Sequence, residues 1–361
     1  MQIIVDRNVI LQPVSKVVSI TEKRSLMPIL SNILIAFGKQ RAIVYSTDLE
    51  ISAITYIDCK AEEERKIVVH GRKFLDILKE LDNGDITVSI QENSMKIEQK
   101  KSETTLVLQD PEEFPEIKEI EKKEEFSLEG KQLLDMINKV SFAVSADETR
   151  YILTGMHLKG GAGEIAVVGT DGFRMALYQK KIQGLKAFPG ITIPKRSVSE
   201  IERAIDEDER VLVALDDKHV QFATEKIKLI SRIIEGNFPE YENVLPAQNT
   251  NTVSAGRDTF LKCLKRVSAI MGRSEPVKVT LSDKRMVIEA ESDIGRAKEE
   301  IEIDYSGETE SMSFNVKFLL DVTTHLTGET VTIAAPKTYG AVLFRGDDGE
   351  EYKNIVMPIR T

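Results

Sequence analysis

The chain has 361 residues, a formal net charge of −10 and two cysteines, Cys59 and Cys263. This length predicts two or three domains, and a hydrophobic fraction of 41% excludes a disordered chain. There is no apolar run of the ~18 residues that a membrane helix needs, no secretory signal at the start, and no cysteine pattern typical of a disulfide framework. We therefore expect a cytoplasmic protein.

The most informative feature is a repeat of roughly 120 residues that occurs three times. Each repeat contains, in the same order, an amphipathic helix, a Thr-Asp or Ser-Asp pair after an apolar strand, a shorter helix and a proline. The markers of these landmarks are Val17, Val140 and Val267; Asp48, Asp171 and Asp293; Phe74, Val198 and Phe318; and Pro115, Pro239 and Pro358. Four landmarks in one order at one spacing indicate a triplicated chain.

Polar connectors between the repeats predict the domain boundaries. The runs KEIEKKEEF and LPAQNTNTV separate domains at residues 1–120, 121–245 and 246–361. Short apolar segments bounded by Asn-Gly, Asp-Asp or glycine-rich turns lie between the helices and are typical of hairpins. We predict an α+β fold in which each domain packs two helices on antiparallel sheets, with about seven or eight strands per domain.

Charge is divided unevenly along the chain. The six windows predicted to be helical carry a net charge of +10, which leaves −20 elsewhere; they are residues 7–24, 71–80, 131–140, 195–204, 257–273 and 315–325. Basic helices on an acidic body can approach a phosphate backbone. The absence of Trp argues against base stacking and favours sequence-independent contacts. The alternative is that these lysines and arginines only cover solvated helix faces.

Motifs for catalysis or metal binding are missing from the sequence. It has no P-loop and no G-x-S-x-G elbow, and its four histidines lack the spacing of metal ligands. We expect no catalytic residue, metal or cofactor. Two alternatives stay open: a nuclease that uses Asp48, Asp171 and Asp293 as metal ligands, and a three-repeat scaffold without a role on DNA. Equivalent positions of three repeats would not normally converge on one metal, which weakens the first.

Local motifs along the whole chain resemble those of one family. The most specific is TDGFRMA at residues 170–176, and MPILSNILI, STDLE, RYILTGM, GNFPEYENVLP, FNVKFLLDV and VMPIR accompany it. On these motifs the chain resembles the bacterial β sliding clamp, the β subunit of DNA polymerase III. The resemblance implies the DNA-clamp fold and a head-to-tail homodimer, closed into a ring around duplex DNA, that confers processivity without catalysis.

The resemblance also implies three sets of functional residues. A hydrophobic pocket for partner peptides would be lined by Leu153, Thr170, Gly172, Phe173, Arg174, Met175, Pro239, Val244, Ile355, Met357, Pro358, Ile359 and Arg360. DNA contacts would come from Arg24, Arg72, Lys73, Arg150, Lys195 and Arg196, and the dimer interface from Ile270 and Met271. The implied partners are double-stranded DNA, the α subunit of the replicative polymerase, the clamp loader and other proteins with a clamp-binding motif.

Three features depart from the family pattern. Phe173 replaces the usual histidine, Met175 replaces a leucine, and the chain ends Ile359-Arg360-Thr361 where Met-Arg-Leu is common. Because phenylalanine and methionine keep the pocket apolar while changing its shape, they predict an altered preference among partner motifs. Whether the chain is a housekeeping clamp or a specialised paralogue stays open.

Overall fold

The computed structural model describes residues 1–21, 26–246, 251–272, 275–336 and 340–360. Within these ranges the chain runs three times through the same order of elements: one strand, a helix, four strands, a second helix and three strands. The predicted α+β clamp fold, with two helices and seven or eight strands per repeat, is confirmed. No helix in the described part of the chain is long and apolar enough to span a membrane.

The first helix of the first repeat is capped at its start. Its elements are β1 (Gln2–Asp6), α1 (Arg7–Val18), β2 (Asn32–Phe37), β3 (Arg41–Thr47), β4 (Ile51–Asp58), β5 (Arg65–His70), α2 (Gly71–Glu80), β6 (Asp85–Ile90), β7 (Ser94–Gln99) and β8 (Ser102–Gln109). The Asp6 carboxylate accepts the Asn8 N–H at 2.8 Å and so satisfies one of the free donors at the start of α1. The apolar faces of α1 and α2 pack against each other.

The second repeat buries the apolar stripe that its helical spacing predicts. Its elements are β9 (Glu124–Glu129), α3 (Gly130–Val140), β10 (Gly155–Gly161), β11 (Glu164–Thr170), β12 (Arg174–Lys181), β13 (Phe188–Pro194), α4 (Lys195–Ala204), β14 (Arg210–Leu215), β15 (His219–Ala223) and β16 (Ile227–Arg232). On α3 the side chains of Leu133, Ile137 and Val140 are buried, as expected for residues three and four apart.

The third repeat follows the same order. Its elements are β17 (Asn251–Gly256), α5 (Arg257–Ser268), β18 (Pro276–Ser282), β19 (Arg285–Ser292), β20 (Gly295–Glu302), β21 (Glu310–Asn315), α6 (Val316–His325), β22 (Thr330–Ala335), β23 (Val342–Arg345) and β24 (Tyr352–Val356). Asn315 caps α6 by accepting the Lys317 N–H at 2.9 Å. Lysine and arginine outnumber aspartate and glutamate on five of the six helices, so the predicted basic bias is present.

Two compact units emerge from the three repeats. Unit 1 comprises residues 1–134 and 196–233, and unit 2 comprises residues 135–195 and 234–361. The strands of the second repeat are therefore divided, with β9 and β14–β16 in unit 1 and β10–β13 in unit 2. The predicted domain boundaries follow the repeats rather than these units, and they stay predictions.

In unit 1 the two repeats share a continuous sheet. Its strand order is β5-β2-β3-β4-β16-β15-β14-β9, and a second group, β1-β6-β7-β8, joins it through a short pairing of β8 with β5. The strands β4 and β16 are antiparallel, with pairs from Ile51↔Ser231 to Ile227↔Thr55. One edge of the first repeat is thus hydrogen-bonded to one edge of the second.

The same arrangement occurs in unit 2. Its larger sheet has the order β13-β10-β11-β12-β24-β23-β22-β17, and its smaller sheet has the order β20-β19-β18-β21. The strands β12 and β24 are antiparallel, with pairs from Arg174↔Val356 to Tyr178↔Tyr352. The pair β12 and β24 is the counterpart, one repeat later, of the pair β4 and β16.

Candidate functional site

The TDGF motif forms a tight turn between β11 and β12. The Asp171 carboxylate accepts the N–H groups of Phe173 and Arg174, both at 3.0 Å. The Thr170 hydroxyl accepts the Gly172 N–H at 3.1 Å and donates to the Arg174 carbonyl at 2.7 Å. Gly172 has a φ of 84°, a left-handed conformation that costs glycine little. These residues therefore build the turn, and Phe173 is presented at its tip.

Arg174 is a buried anchor beneath the turn. Its guanidinium donates to Asp171 at 3.0 Å, to Asp321 of α6 at 2.5 Å and to the Phe142 carbonyl at 2.8 Å. It also lies over the Phe318 ring, 4.6 Å from the centroid. A buried charge is tolerated because its donors are satisfied in this way. Arg174 thus connects the turn rigidly to α6.

Phe173 is exposed and stacked under an arginine. Its side chain is 54% accessible, and the Arg150 guanidinium lies 5.1 Å from its ring centroid. Arg150 also donates to the Asp171 carbonyl at 2.9 Å. The structure therefore brings Arg150, which the sequence assigned to DNA, onto this turn. Its role on DNA stays a prediction, and its observed contacts belong to the present site.

The floor below the turn is an apolar cluster. Its buried members are Val168, Met175, Leu177, Tyr241, Ala334, Leu343 and Ile355, with Ala166, Phe238, Leu245 and Ala341 packed against them. Of the predicted pocket residues, Met175 and Ile355 are core members that support the site from below. Leu153 is also buried.

One wall of the site is the connector between the second and third repeats, residues 238–245. The Phe238 ring stacks on the His157 imidazole of β10 with centroids 4.2 Å apart, and Tyr241 packs edge-on at 6.2 Å. Burial lowers the pKa of His157 to about 4, so the imidazole is neutral near pH 7. Pro239 and Val244 lie on the exposed side of this connector.

The C-terminal tail forms the opposite wall. The Met357 N–H donates to the Phe173 carbonyl at 2.9 Å, and the Ile359 N–H donates to the Ser313 carbonyl of β21 at 2.7 Å. A crevice of about 650 Å³ lies beside this tail. It is lined by Lys278, Ser311, Met312, Ser313, Pro358, Ile359 and Arg360.

Exposed apolar side chains concentrate at this site. Of the eleven large apolar residues that are exposed in the described ranges, four belong to its turn, its walls or the segment before β10: Tyr151, Phe173, Val244 and Ile359. Such concentrations mark interaction surfaces. The sequence did not assign Tyr151, Phe318 or Asp321 to the site, although all three lie in motifs that carry the family resemblance and Phe318 is a marker of the repeat.

The residues predicted to contact DNA fall into different environments. Lys73 and Lys195 are exposed and form no ion pair with another described residue. Arg72 pairs with Asp76 at 3.1 Å, and the exposed Arg196 pairs with the buried Asp48 at 2.8 Å. Arg24 lies outside the described residues.

The other predicted positions lie in the third repeat or in the turns. Ile270 and Met271 follow α5 and are half-buried, and the Ile270 carbonyl accepts the Ser292 hydroxyl at 2.7 Å. Asp48 and Asp171 each accept N–H groups of their own turns. No cluster of three potential metal ligands occurs within the ranges that the structure describes.

Comparison with known proteins gives one result over the whole chain. Models for the N-terminal, central and C-terminal domains of the DNA polymerase III beta subunit match residues 1–118, 127–240 and 242–360. The beta sliding clamp of Chlamydia muridarum is 28% identical, with 100% of this chain and 99% of the relative covered. The crystal structure of the DNA polymerase III subunit beta from Pseudomonas aeruginosa is 28% identical, covers 100% of both chains and superposes with a TM-score of 0.96. The sliding clamp from Caulobacter crescentus gives 26% identity, the same coverage and a TM-score of 0.94.

His157 is expected to make the stability of unit 2 dependent on pH. The unfolded chain, with an imidazole pKa near 6.5, takes up the proton before the folded chain does. The stabilisation is therefore complete above pH ~6.5 and is lost as the pH falls towards 4. At pH ~4.5 the loss from this residue is about 2–3 kcal/mol. Urea denaturation of the parent and of His157→Gln at neutral and acidic pH measures it, and an equal acid-induced loss in both proteins would contradict the assignment.

Proposed function

Because the chain belongs to the DNA polymerase III beta-subunit family over all three repeats, we propose a residue-level account of how it acts as a DNA sliding clamp. The family consists of non-catalytic processivity subunits, so the protein acts by holding other proteins on DNA rather than by catalysing a reaction. A ring that encircles DNA in the cytoplasm stays on it by topology. Its individual contacts can then be weak enough to permit sliding.

The observation that carries the proposal is a pair of unmatched strand edges. In each repeat four strands lie between the two helices. The third of these strands pairs with the last strand of the following repeat, and this occurs twice in the chain, as β4 with β16 and as β12 with β24. Continuing the series leaves β20 at the edge of its sheet and most of β8 free on the side away from β7. Edges of this kind are templates for pairing with another chain.

Two copies satisfy both edges at once. If β20 of one copy pairs with β8 of the other, the contact is head-to-tail and repeats identically at the second junction, which closes a ring of six repeats. Exposed apolar side chains support this pairing, because Val107 on β8 is 71% accessible and Ile294 before β20 is 81% accessible. Ile270 and Met271 stay candidates for the same interface.

Contacts to DNA are assigned to the helices. Exposed lysines without an acidic partner among the described residues, such as Lys73 on α2 and Lys195 on α4, are suited to contact phosphates without reading sequence. Arg72 and Arg196 are exposed as well, but their ion pairs with Asp76 and Asp48 would compete with a phosphate for the guanidinium groups. The predicted Arg24 contact remains part of the proposal.

Partner proteins are assigned to the site in unit 2. An apolar floor, exposed aromatic and aliphatic side chains and a few polar anchors suit a short linear peptide. The α subunit of the polymerase, the clamp loader and other proteins with a clamp-binding motif would compete for it. Phe173 at the tip of the turn and Arg150, which lies against its ring, are both exposed, so they are expected to influence which motif is preferred.

Phe173 is expected to set the partner preference. Replacing it by histidine removes apolar contact area and changes the ring that Arg150 covers, so a Phe173→His variant should bind the C-terminal peptide of the cognate polymerase α subunit about threefold or more weakly. Fluorescence anisotropy with the labelled peptide measures this effect. Ile4→His, which changes an exposed residue of β1, serves as the control. Indistinguishable affinities of parent and Phe173→His would refute the assignment.

The free edge of β8 is expected to hold the dimer. A Val107→Asp variant would place a carboxylate in the paired interface and should raise the dimer dissociation constant about tenfold or more. Sedimentation velocity over a dilution series measures the constant. The matched control is Ile4→Asp, since Ile4 is 68% accessible and lies on β1, whose counterparts β9 and β17 pair on one side only. Equal effects of both substitutions would argue against β8 as the interface.

A further inference from the structure

Unit 1 contains a second groove built like the partner site of unit 2. Its turn, Thr47 to Ile51, joins β3 to β4. The Asp48 carboxylate accepts the N–H groups of Glu50 and Ile51 at 3.0 and 2.7 Å, as Asp171 does for its own turn. The Thr47 hydroxyl accepts the Leu49 N–H at 3.0 Å and donates to the Ile51 carbonyl at 3.1 Å. The two turns therefore share one hydrogen-bond pattern.

The walls of the groove correspond as well. The Arg232 N–H at the end of β16 donates to the Glu50 carbonyl at 2.9 Å, just as the Met357 N–H donates to the Phe173 carbonyl in unit 2. The connector that follows Pro115 lines one side, in the position that the connector after Pro239 has in the other unit. The space enclosed by turn, connector and β16 is about 310 Å³, near the lower end of the range for ligand pockets.

Leu49 points to a function for this groove. It has a φ of 76° at the position where the other turn has Gly172, and its side chain is 48% accessible. A left-handed conformation costs a residue other than glycine about 1–2 kcal/mol. Strained residues of this kind cluster at ligand-binding and active sites, and here the strain presents an apolar side chain at the groove.

The excess of negative charge in the groove favours a partner segment with positive charge. Five carboxylates line it against two cationic side chains, Lys118 and Arg232; the carboxylates are Glu50, Glu116, Glu119, Glu121 and Asp216. Glu50 pairs with Arg232 at 3.3 Å and Glu119 with Lys228 at 3.1 Å. Glu116 and Glu121 form no ion pair with another described residue.

We propose that this groove is a second docking site, which takes a short linear segment with apolar anchors flanked by lysine or arginine. Leu49 and Ile230 would contact the apolar side chains, and Glu116 and Glu121 would attract the cationic ones. A clamp with two separate docking sites can hold two segments at the same time. The site is independent of the partner assignment made for unit 2.

The test uses the full-length protein and two labelled octapeptides, KLRLFKRG and its charge-reversed counterpart ELDLFEDG. Anisotropy should detect binding of KLRLFKRG, and Leu49→Gly should weaken that binding about fivefold or more. Glycine suits the φ of this position, so the variant keeps its fold and the loss reports the missing side chain. Phe173→Ala should leave the affinity for KLRLFKRG unchanged, which separates this site from the one in unit 2.

A charge control separates docking from general attraction to an acidic protein. Glu116→Lys combined with Glu121→Lys should weaken binding of KLRLFKRG about tenfold or more. Glu62→Lys combined with Glu92→Lys changes the net charge equally at exposed positions elsewhere in unit 1 and should change the affinity less than about twofold. Equal weakening by both pairs, or an affinity insensitive to Leu49→Gly, would overturn the proposal.

Discussion

Backbone pairing between the edge of one repeat and the edge of the next is the interaction on which the rest of the structure depends. It occurs within unit 1 between β4 and β16 and within unit 2 between β12 and β24. Alternate residues of these antiparallel junctions exchange main-chain hydrogen bonds, so the contact depends little on particular side chains. The same pairing positions each aspartate turn beside the last strand of the following repeat, and that proximity creates both grooves.

Much of this architecture could be predicted because it follows from local periodicity. Helical stripes such as that of Leu133, Ile137 and Val140, and turn residues such as Asp171 and Gly172, have their causes within a few residues of themselves. Because the chain contains three repeats, each weak local pattern occurs three times at one spacing, and this recurrence makes the prediction stronger. The order of strands within the sheets was not predicted, because hydrogen-bond partners far apart in sequence leave no such local trace.

The parts of the site that escaped prediction depend on distant partners. Nothing local to Arg150 shows that its guanidinium lies on the Phe173 ring, and nothing near Arg174 indicates its ion pair with Asp321. Arg196 likewise was assigned to DNA from the family resemblance, whereas the structure pairs it with the buried Asp48. Charge identifies which side chains can contact phosphate, but the fold determines how many of them are already engaged by a carboxylate.

We propose that two free strand edges in each copy close a ring. Negative-stain electron microscopy of the purified protein without DNA tests it most directly, because it shows closure without relying on any substitution. We expect closed particles made of two copies, with six lobes around a hole that is wide enough for a DNA duplex. Solid particles, or single crescents at micromolar concentration, would contradict it.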